Sequence, residues 1–257
     1  SLKSFSKKKF KSFKFNDVNF DKRLLKKLKD ADYILVSIPP QDKKDLVLEK
    51  FKKNLKILNF KKLIYLSATS VYGNHKGKWV SENSKLKGKT LFGLRRIATE
   101  KAWVNFKKSS GQDINILRVS GIYSKESNVL KKILKKNIYV KDRKFFSRIR
   151  VEDLAVIIKK MFFSSNSSMI LNASDDKPST NIEVAKFAAK LLKIKSLRAV
   201  PIFKFKNKMI KQFYKDSKKV SNKNMKNMLK IRLRYPTYKQ GLRNIFNNLW
   251  QFTNHNF

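Results

Sequence analysis

Residues 33–40, YILVSIPP, make a short continuous apolar run closed by two prolines. That is the pattern of a buried parallel strand that stops sharply. The spacing of DLVLEKFKKNLKIL, residues 45–58, predicts a helix, and KKLIYLSAT, residues 61–69, a second buried strand. LFGLRRIATEKAW at 91–103 is helical again, with Leu94, Ile97, Ala98 and Ala102 available for burial. Arg95 and Arg96 interrupt that face, and Arg96 stands one turn after Phe92. DINILRVS at 113–120 predicts a third buried strand, VEDLAVIIKKMFF at 151–163 a helix, and MILNAS at 169–174 a short strand. Thr180 and Glu183 have capping-box spacing at the head of TNIEVAKFAAKLL, and Pro236 stands where a last helix would begin. Strands alternating with helices predict an α/β fold with a mostly parallel sheet, and no repeat or long linker divides the chain.

Composition narrows the picture. The 257 residues are enough for one large α/β domain with a smaller lobe, and 41% hydrophobic content is that of a globular chain. No apolar run approaches the ~18 residues of a membrane span, and SLKSFSKKKFKSFKF lacks the apolar core of a secretory signal. A cytoplasmic protein with no membrane partner is the expectation. The absence of cysteine excludes disulfides, thiolate metal sites and cysteine nucleophiles, and two distant histidines among scattered carboxylates make no metal site. The net charge is +44, carried by 51 lysines and only 11 arginines. A nucleic-acid reader concentrates charge on one face or arm, whereas here it runs from end to end. Abundant lysine, asparagine, phenylalanine and isoleucine beside scarce glycine and alanine suit an AT-rich genome. A solvated surface without a specific nucleic-acid site is the expectation.

Several motifs together carry a resemblance. LSATSVYG at 66–73, FGLRRIATE at 92–100, ILRVSGIYS at 116–124 and FSRIRVEDLA at 146–155 occur in order, with NASDDKPST at 172–180 and LRYPTYKQGLR at 233–243 beyond them. The chain resembles the extended short-chain dehydrogenase/reductases, the NAD(P)-dependent epimerases and dehydratases, in an atypical nucleoside-diphosphate-sugar-epimerase-like branch. The resemblance implies a Rossmann-like, doubly wound parallel sheet with a small C-terminal substrate lobe. The core would cover residues 1–165, with 120–145 partly in the lobe. A mixed segment over 166–257 would hold a core strand and helix and then the lobe itself. It also implies NAD or NADP as cofactor, a small-molecule substrate of nucleotide-sugar type, and a homodimer paired through two helices.

By the same resemblance Arg96 stands at the family's catalytic lysine, Phe92 at its catalytic tyrosine and Ala68 at its Ser/Thr. Phenylalanine has no proton to give. Arginine keeps five donors and a permanent charge, so it can bind ribose hydroxyls but is no ordinary base. Arg96 is therefore a cofactor-binding candidate, the alternative being a helix arginine paired with Glu100. Thr69 and His75 are the catalytic candidates that remain. Thr69 adjoins the vacant hydroxyl position, and His75 follows a strand's C-terminal end, where ligands gather. A plain surface-loop histidine explains His75 as well. Ser67 joins the cofactor candidates, as do Ser37, Ile38 and Pro39, although a buried strand and turn account for the last three equally. Arg148 and Arg150 are candidates for a substrate phosphate. Asp153 is expected to cap the following helix, and Trp79 and Glu82 to belong to a loop able to act as a lid.

All seven glycines lie at or after Gly73, so nothing earlier supplies the glycine-rich turn that receives a dinucleotide's pyrophosphate. The resemblance thus implies that the first strand–turn–helix unit is missing, which would leave YILVSI at an unpaired apolar edge. A fragment that binds dinucleotide poorly alone, cut from a native protein about 4 kDa heavier, is the expectation. Ser1 is also compatible with a complete chain that has lost an initiator methionine.

Overall fold

The apolar runs of the sequence become the strands of one sheet. In the computed structural model, which describes residues 11–250 apart from 17, 42, 43, 137 and 207, these are β1 (Tyr33–Val36), β2 (Lys62–Ala68), β3 (Ile114–Val119) and β4 (Ile170–Ala173). They lie side by side in chain order, all parallel. Tyr33 stands opposite Lys62, Leu63 opposite Ile114 and Ile116 opposite Ile170. Every residue of β3 is buried, as its unbroken apolar run requires. β1 is one of the two edge strands among the described residues, with Leu35 42% exposed between buried Ile34 and Val36.

Helices cover both faces. The preceding helix α1 (Arg23–Lys29) flanks the edge, while α2 (Leu46–Ile57) and α3 (Leu91–Ser110) close one face. There Leu48, Phe51 and Leu55 of α2 and Trp103 and Phe106 of α3 pack on Ile34, Leu63, Tyr65 and Ile116. Further on come α4 (Val129–Lys136), α5 (Val151–Phe162), α6 (Asn181–Leu191), α7 (Lys223–Leu229) and α8 (Tyr238–Trp250). The opposite face carries Leu154, Ile157 and Met161 of α5 and Met225 and Leu229 of α7, against Ile64, Leu117 and Leu171. A separate cluster joins Leu130 and Ile133 of α4 to Val184 and Ala188 of α6 and to Leu242 and Ile245 of α8. Around β4 and α6, short two-stranded pairings of two to four residues join 121–123 to 148–150, 145–146 to 179–180 and 138–141 to 198–201.

Some local expectations hold and some are corrected. The Thr180–Glu183 capping box forms in full at the head of α6. The last helix begins at Tyr238, two residues after Pro236. In α3 the buried residues are Gly93, Thr99, Glu100, Trp103 and Phe106, whereas Leu94 is 46% exposed and Ala102 is exposed. The reason is that α3 turns a charge inward: Glu100 meets Arg118 of β3 at 2.8 Å, so the buried stripe is displaced from the aliphatic one. Asp153 does not cap its own helix. It lies in the first turn of α5 and accepts from the backbone N–H groups of Arg234 and Tyr235 at 2.8 and 2.9 Å, fastening the approach to α8.

Candidate functional site

β2 ends at Ala68, and the chain turns at once through a single 3-10 turn, Thr69–Tyr72. Tyr72 is fully buried; its hydroxyl donates to Asn172 Oδ1 at 2.7 Å and accepts from Arg118 Nη1 at 3.0 Å. Gly73 follows with φ +64°, and a Cβ there would fall 2.1 Å from the Lys87 carbonyl oxygen. Only glycine lets the returning loop lie so close. The amides of Lys87 and Gly88 then donate to the carbonyls of Tyr72 and Val71. Gly88 meets Gly93, where a Cβ would stand 2.9 Å from both Gly88 Cα and the Ser70 carbonyl oxygen. Thr90 caps α3 by accepting from Gly93 N at 3.1 Å. These contacts press the first turns of α3 onto the end of β2.

Arg96 is brought there. Its Nη1 donates to the Leu66 carbonyl at 2.6 Å and to the Tyr65 hydroxyl at 2.9 Å, with the guanidinium 5.8 Å from the centre of the Tyr65 ring. Its Nε and Nη2 meet no acceptor among the described residues, and the side chain is half-buried. The result is a permanent cation with unspent donors at the C-terminal end of a parallel sheet. Ala68 and Phe92, the latter 39% exposed, bring no exchangeable proton to that end.

Behind Arg96 runs a network that the sequence did not disclose. The Tyr65 ring stacks on Trp103 with centroids 5.8 Å apart, and Trp103 Nε1 donates to Asp45 Oδ2 at 3.2 Å. Asp45 Oδ1 caps α2 by accepting from Val47 N and Leu48 N, both at 3.0 Å. Burial pushes the Asp45 carboxyl up, while these bonds and the Arg96 charge pull it back. Burial likewise pushes the Tyr65 phenol up to about 12, with Arg96 opposing. In an apolar run such as KLIYLSA a tyrosine reads as core, and only the fold shows where its hydroxyl lies.

The other candidates are placed as follows. Ser67 is buried, and its hydroxyl donates to Glu100 Oε1 at 2.5 Å. Thr69 is half-buried beside Ala68. His75 is half-buried in the loop, with Nε2 3.1 Å from the Lys85 carbonyl and its backbone N–H on the Ser217 carbonyl. Ser37 and Ile38 line an apolar hollow of about 340 Å³ at the sheet edge, with Val47 and Phe51 of α2 and Leu24 and Leu28 of α1; Pro39, beyond them, is exposed. Glu82 accepts from Asn172 N and Asn224 Nδ2, both at 2.8 Å, and so ties its loop to β4 and α7. Trp79, 57% exposed, belongs to a two-residue strand paired with Lys219–Val220.

Arg148 and Arg150 lie together in the joint between the sheet and the C-terminal helices. Arg148 Nη1 donates to the carbonyls of Phe146 and Ser179 at 3.0 Å, and Nη2 to Asn181 Oδ1 at 2.7 Å. Burial pushes this guanidinium down, against the pull of Asp175. Arg150 is 2% exposed, pairs with Glu152, and lies over the rings of Tyr123 and Tyr235. The bonds of Arg148 are made within the protein, whereas Arg150 Nη1 is buried with no hydrogen-bond partner among the described residues. Among the described residues no group of His, Asp or Glu side chains is arranged to hold a metal ion.

No protein-family model matches the chain, and no curated protein matches it. Solved structures do. A conserved protein of unknown function from Silicibacter pomeroyi DSS is 29% identical with TM-score 0.79, covering 84% of this chain and 77% of that one. UDP-glucuronic acid 4-epimerase from Bacillus cereus, in complex with UDP-glucuronic acid and NAD, is 16% identical with TM-score 0.73, covering 93% and 81%. The fold is Rossmann-like. A dTDP-glucose 4,6-dehydratase from Bacillus anthracis in complex with NAD, 18% identical with TM-score 0.66, covers 80% of this chain and 66% of its own. The structural neighbours thus include NAD-bound sugar-nucleotide epimerases and dehydratases. No helix among the described residues is long and apolar enough to cross a membrane.

Proposed function

We propose that this chain is an NAD(P)-dependent oxidoreductase of the epimerase/dehydratase type, an extended short-chain dehydrogenase/reductase. Its substrate would be sugar-nucleotide-like or otherwise hydroxylated, handled at a non-standard site. One observation carries the reading: Arg96 is anchored at the end of β2 through Nη1 alone, with Nε and Nη2 unspent. Those donors suit the vicinal hydroxyls of a ribose. The hollow lined by Ser37 and Ile38 suits a flat apolar ring. No glycine precedes Gly73, and the reading assigns no pyrophosphate contact to residues before it. A bound nicotinamide supplies hydride transfer.

The chain's own residues would bind and orient. Arg96 would hold the ribose and, being permanently charged, would move no proton. Phe92 would keep water from that side of the site. The Thr69 hydroxyl would hold a substrate oxygen, and His75 is the loop residue able to exchange a proton near neutrality. A homodimer paired through two helices, α3 being one of them, belongs to the same reading, supported by exposed Leu91 and Leu94 on α3. Titrating the native protein with NADH is expected to shift the nucleotide's fluorescence with a Kd below about 1 mM, or about 4 kcal/mol. No change at millimolar NADH overturns the proposal.

A second reading is a catalytically silent protein of this fold that binds a nucleotide or a protein partner. It is favoured by the lack of an exchangeable proton at both Ala68 and Phe92. Turnover of UDP-glucose or UDP-glucuronic acid by the native protein overturns the silent reading. NADH binding without turnover of any nucleotide-sugar supports it.

A further inference from the structure

We infer that Tyr65 is a positioning residue for Arg96, its buried hydroxyl fixing the guanidinium in the orientation that leaves Nε and Nη2 free for a ligand. The inference rests on the proposed role of Arg96 in holding a cofactor ribose. It begins from what packing needs. The Tyr65 ring is fully buried and stacked on Trp103, and a phenylalanine would fill that space equally well. The hydroxyl is the part that packing does not explain. Burying it without a partner would cost about 1–3 kcal/mol, and the partner it has is Arg96 Nη1 at 2.9 Å.

The geometry of the pair defines an orientation. A guanidinium is planar, so two acceptors on one nitrogen restrict the whole fork. Leu66 O lies 2.6 Å from Nη1 and Tyr65 Oη 2.9 Å from it. With the carbonyl alone, the side chain could pivot about that single bond. The second acceptor, on a ring immobilised by Trp103, removes the freedom. Trp103 is held in its turn by Asp45, which also caps α2. The orientation of Arg96 is thereby referred to the start of α2 as well as to β2. A phenol pushed up to about 12 stays neutral through the physiological range, so this acceptor is present throughout it. A pre-oriented donor set loses less entropy on binding than a mobile one.

The test uses the native protein, NADH as probe, and the variants Tyr65→Phe, Arg96→Ala and the double variant. Arg96→Ala is expected to weaken NADH binding about twentyfold, within the range for one hydrogen bond to a charged group, and Tyr65→Phe about fivefold, the size of one ordinary hydrogen bond. The double variant should bind no more weakly than Arg96→Ala alone, because the hydroxyl acts through the guanidinium. A full additional fivefold loss in the double variant overturns the inference, since the hydroxyl would then act by packing. So does wild-type affinity in Tyr65→Phe beside a weakened Arg96→Ala. Unchanged binding by Arg96→Ala overturns the role assigned to Arg96 itself. An independent readout needs no cofactor: by ¹⁵N NMR, rotation about Nε–Cζ of the Arg96 guanidinium should be slow in the wild type and faster in Tyr65→Phe. Fast averaging in the wild type overturns the positioning contact. If the wild type binds no NADH, the proposed function fails, and the rotation rate alone decides whether Tyr65 orients Arg96.

Discussion

Asp175 lies just past the end of β4, 1% exposed, with Oδ1 accepting from Lys177 N at 3.2 Å. Its Oδ2 has no hydrogen-bond partner among the described residues. Burial lifts this carboxyl to about 8, against the pull of Arg148. The folded-state pKa is above the unfolded one, so the stabilising difference is full below about pH 4 and is lost as pH rises to about 8. The unfolding free energy of the wild type minus that of Asp175→Asn is therefore expected to fall between those limits and level off above them. Urea melts at pH 5, 6.5 and 8 measure it, and the fall should be on the order of a few kcal/mol. A difference independent of pH would show that the carboxyl ionises freely in the fold. The serine- and aspartate-rich stretch NASDDKPST told nothing of this, because burial depends on what arrives from elsewhere in the chain. Arg96 was legible for the opposite reason. Its spacing from Phe92 marks it as sharing a helix face, and only the ordered motifs of the resemblance made it a cofactor candidate rather than a plain helix arginine.

At the scale of elements, long periodic segments were readable and short ones were not. The four sheet strands, α2, α3, α5 and α6 stand where apolar spacing or a capping box puts them. A two-residue pairing such as Phe145–Phe146 with Ser179–Thr180 has no period to read and exists only because the chain returns there. The inward face of α3 was hidden for a further reason, since its buried stripe includes a carboxylate. Glu100 accepts from Ser67 Oγ and from Arg118 Nε and Nη2, and Arg118 Nη1 reaches Tyr72 and the Glu82 carbonyl. Burial opposes the Arg118 charge, yet Glu100 holds the guanidinium above its ordinary range. This pair joins α3, β2, β3 and the loop that shapes the site. Arg118→Met should cost about 3–5 kcal/mol by leaving Glu100 buried and uncompensated. The double variant Arg118→Met with Glu100→Met should recover most of that loss in a urea melt. If the double variant is no more stable than the single one, the pair acts as more than mutual compensation, and the Tyr72 and Glu82 bonds carry the difference.

At the scale of the whole molecule, the charge of +44 invites a test for nucleic-acid binding. Several inward-facing cations are committed to the fold. Lys62 donates to the Ser164 and Asn166 carbonyls, Arg118 pairs with Glu100, and Arg148 serves Phe146, Ser179 and Asn181. The remainder are mostly lysines, which present point charges rather than the planar forks that read base edges. Exposed aromatics able to stack on bases are dispersed among different elements, as with Trp79, Phe163 and Phe203. A surface of this kind attracts a polyanion through counterion release, without preference for sequence. Retention on duplex DNA is accordingly expected at about 50 mM salt and loss by about 200 mM, with a steep log–log slope. Two unrelated duplexes of equal length should give superimposable salt titrations by fluorescence anisotropy. The Arg96→Ala variant should follow the same curve, because one half-buried cation contributes little to so diffuse a field. Sequence-dependent binding that persists at 200 mM salt would require a formed recognition surface, and would move the function of this chain away from the end of β2.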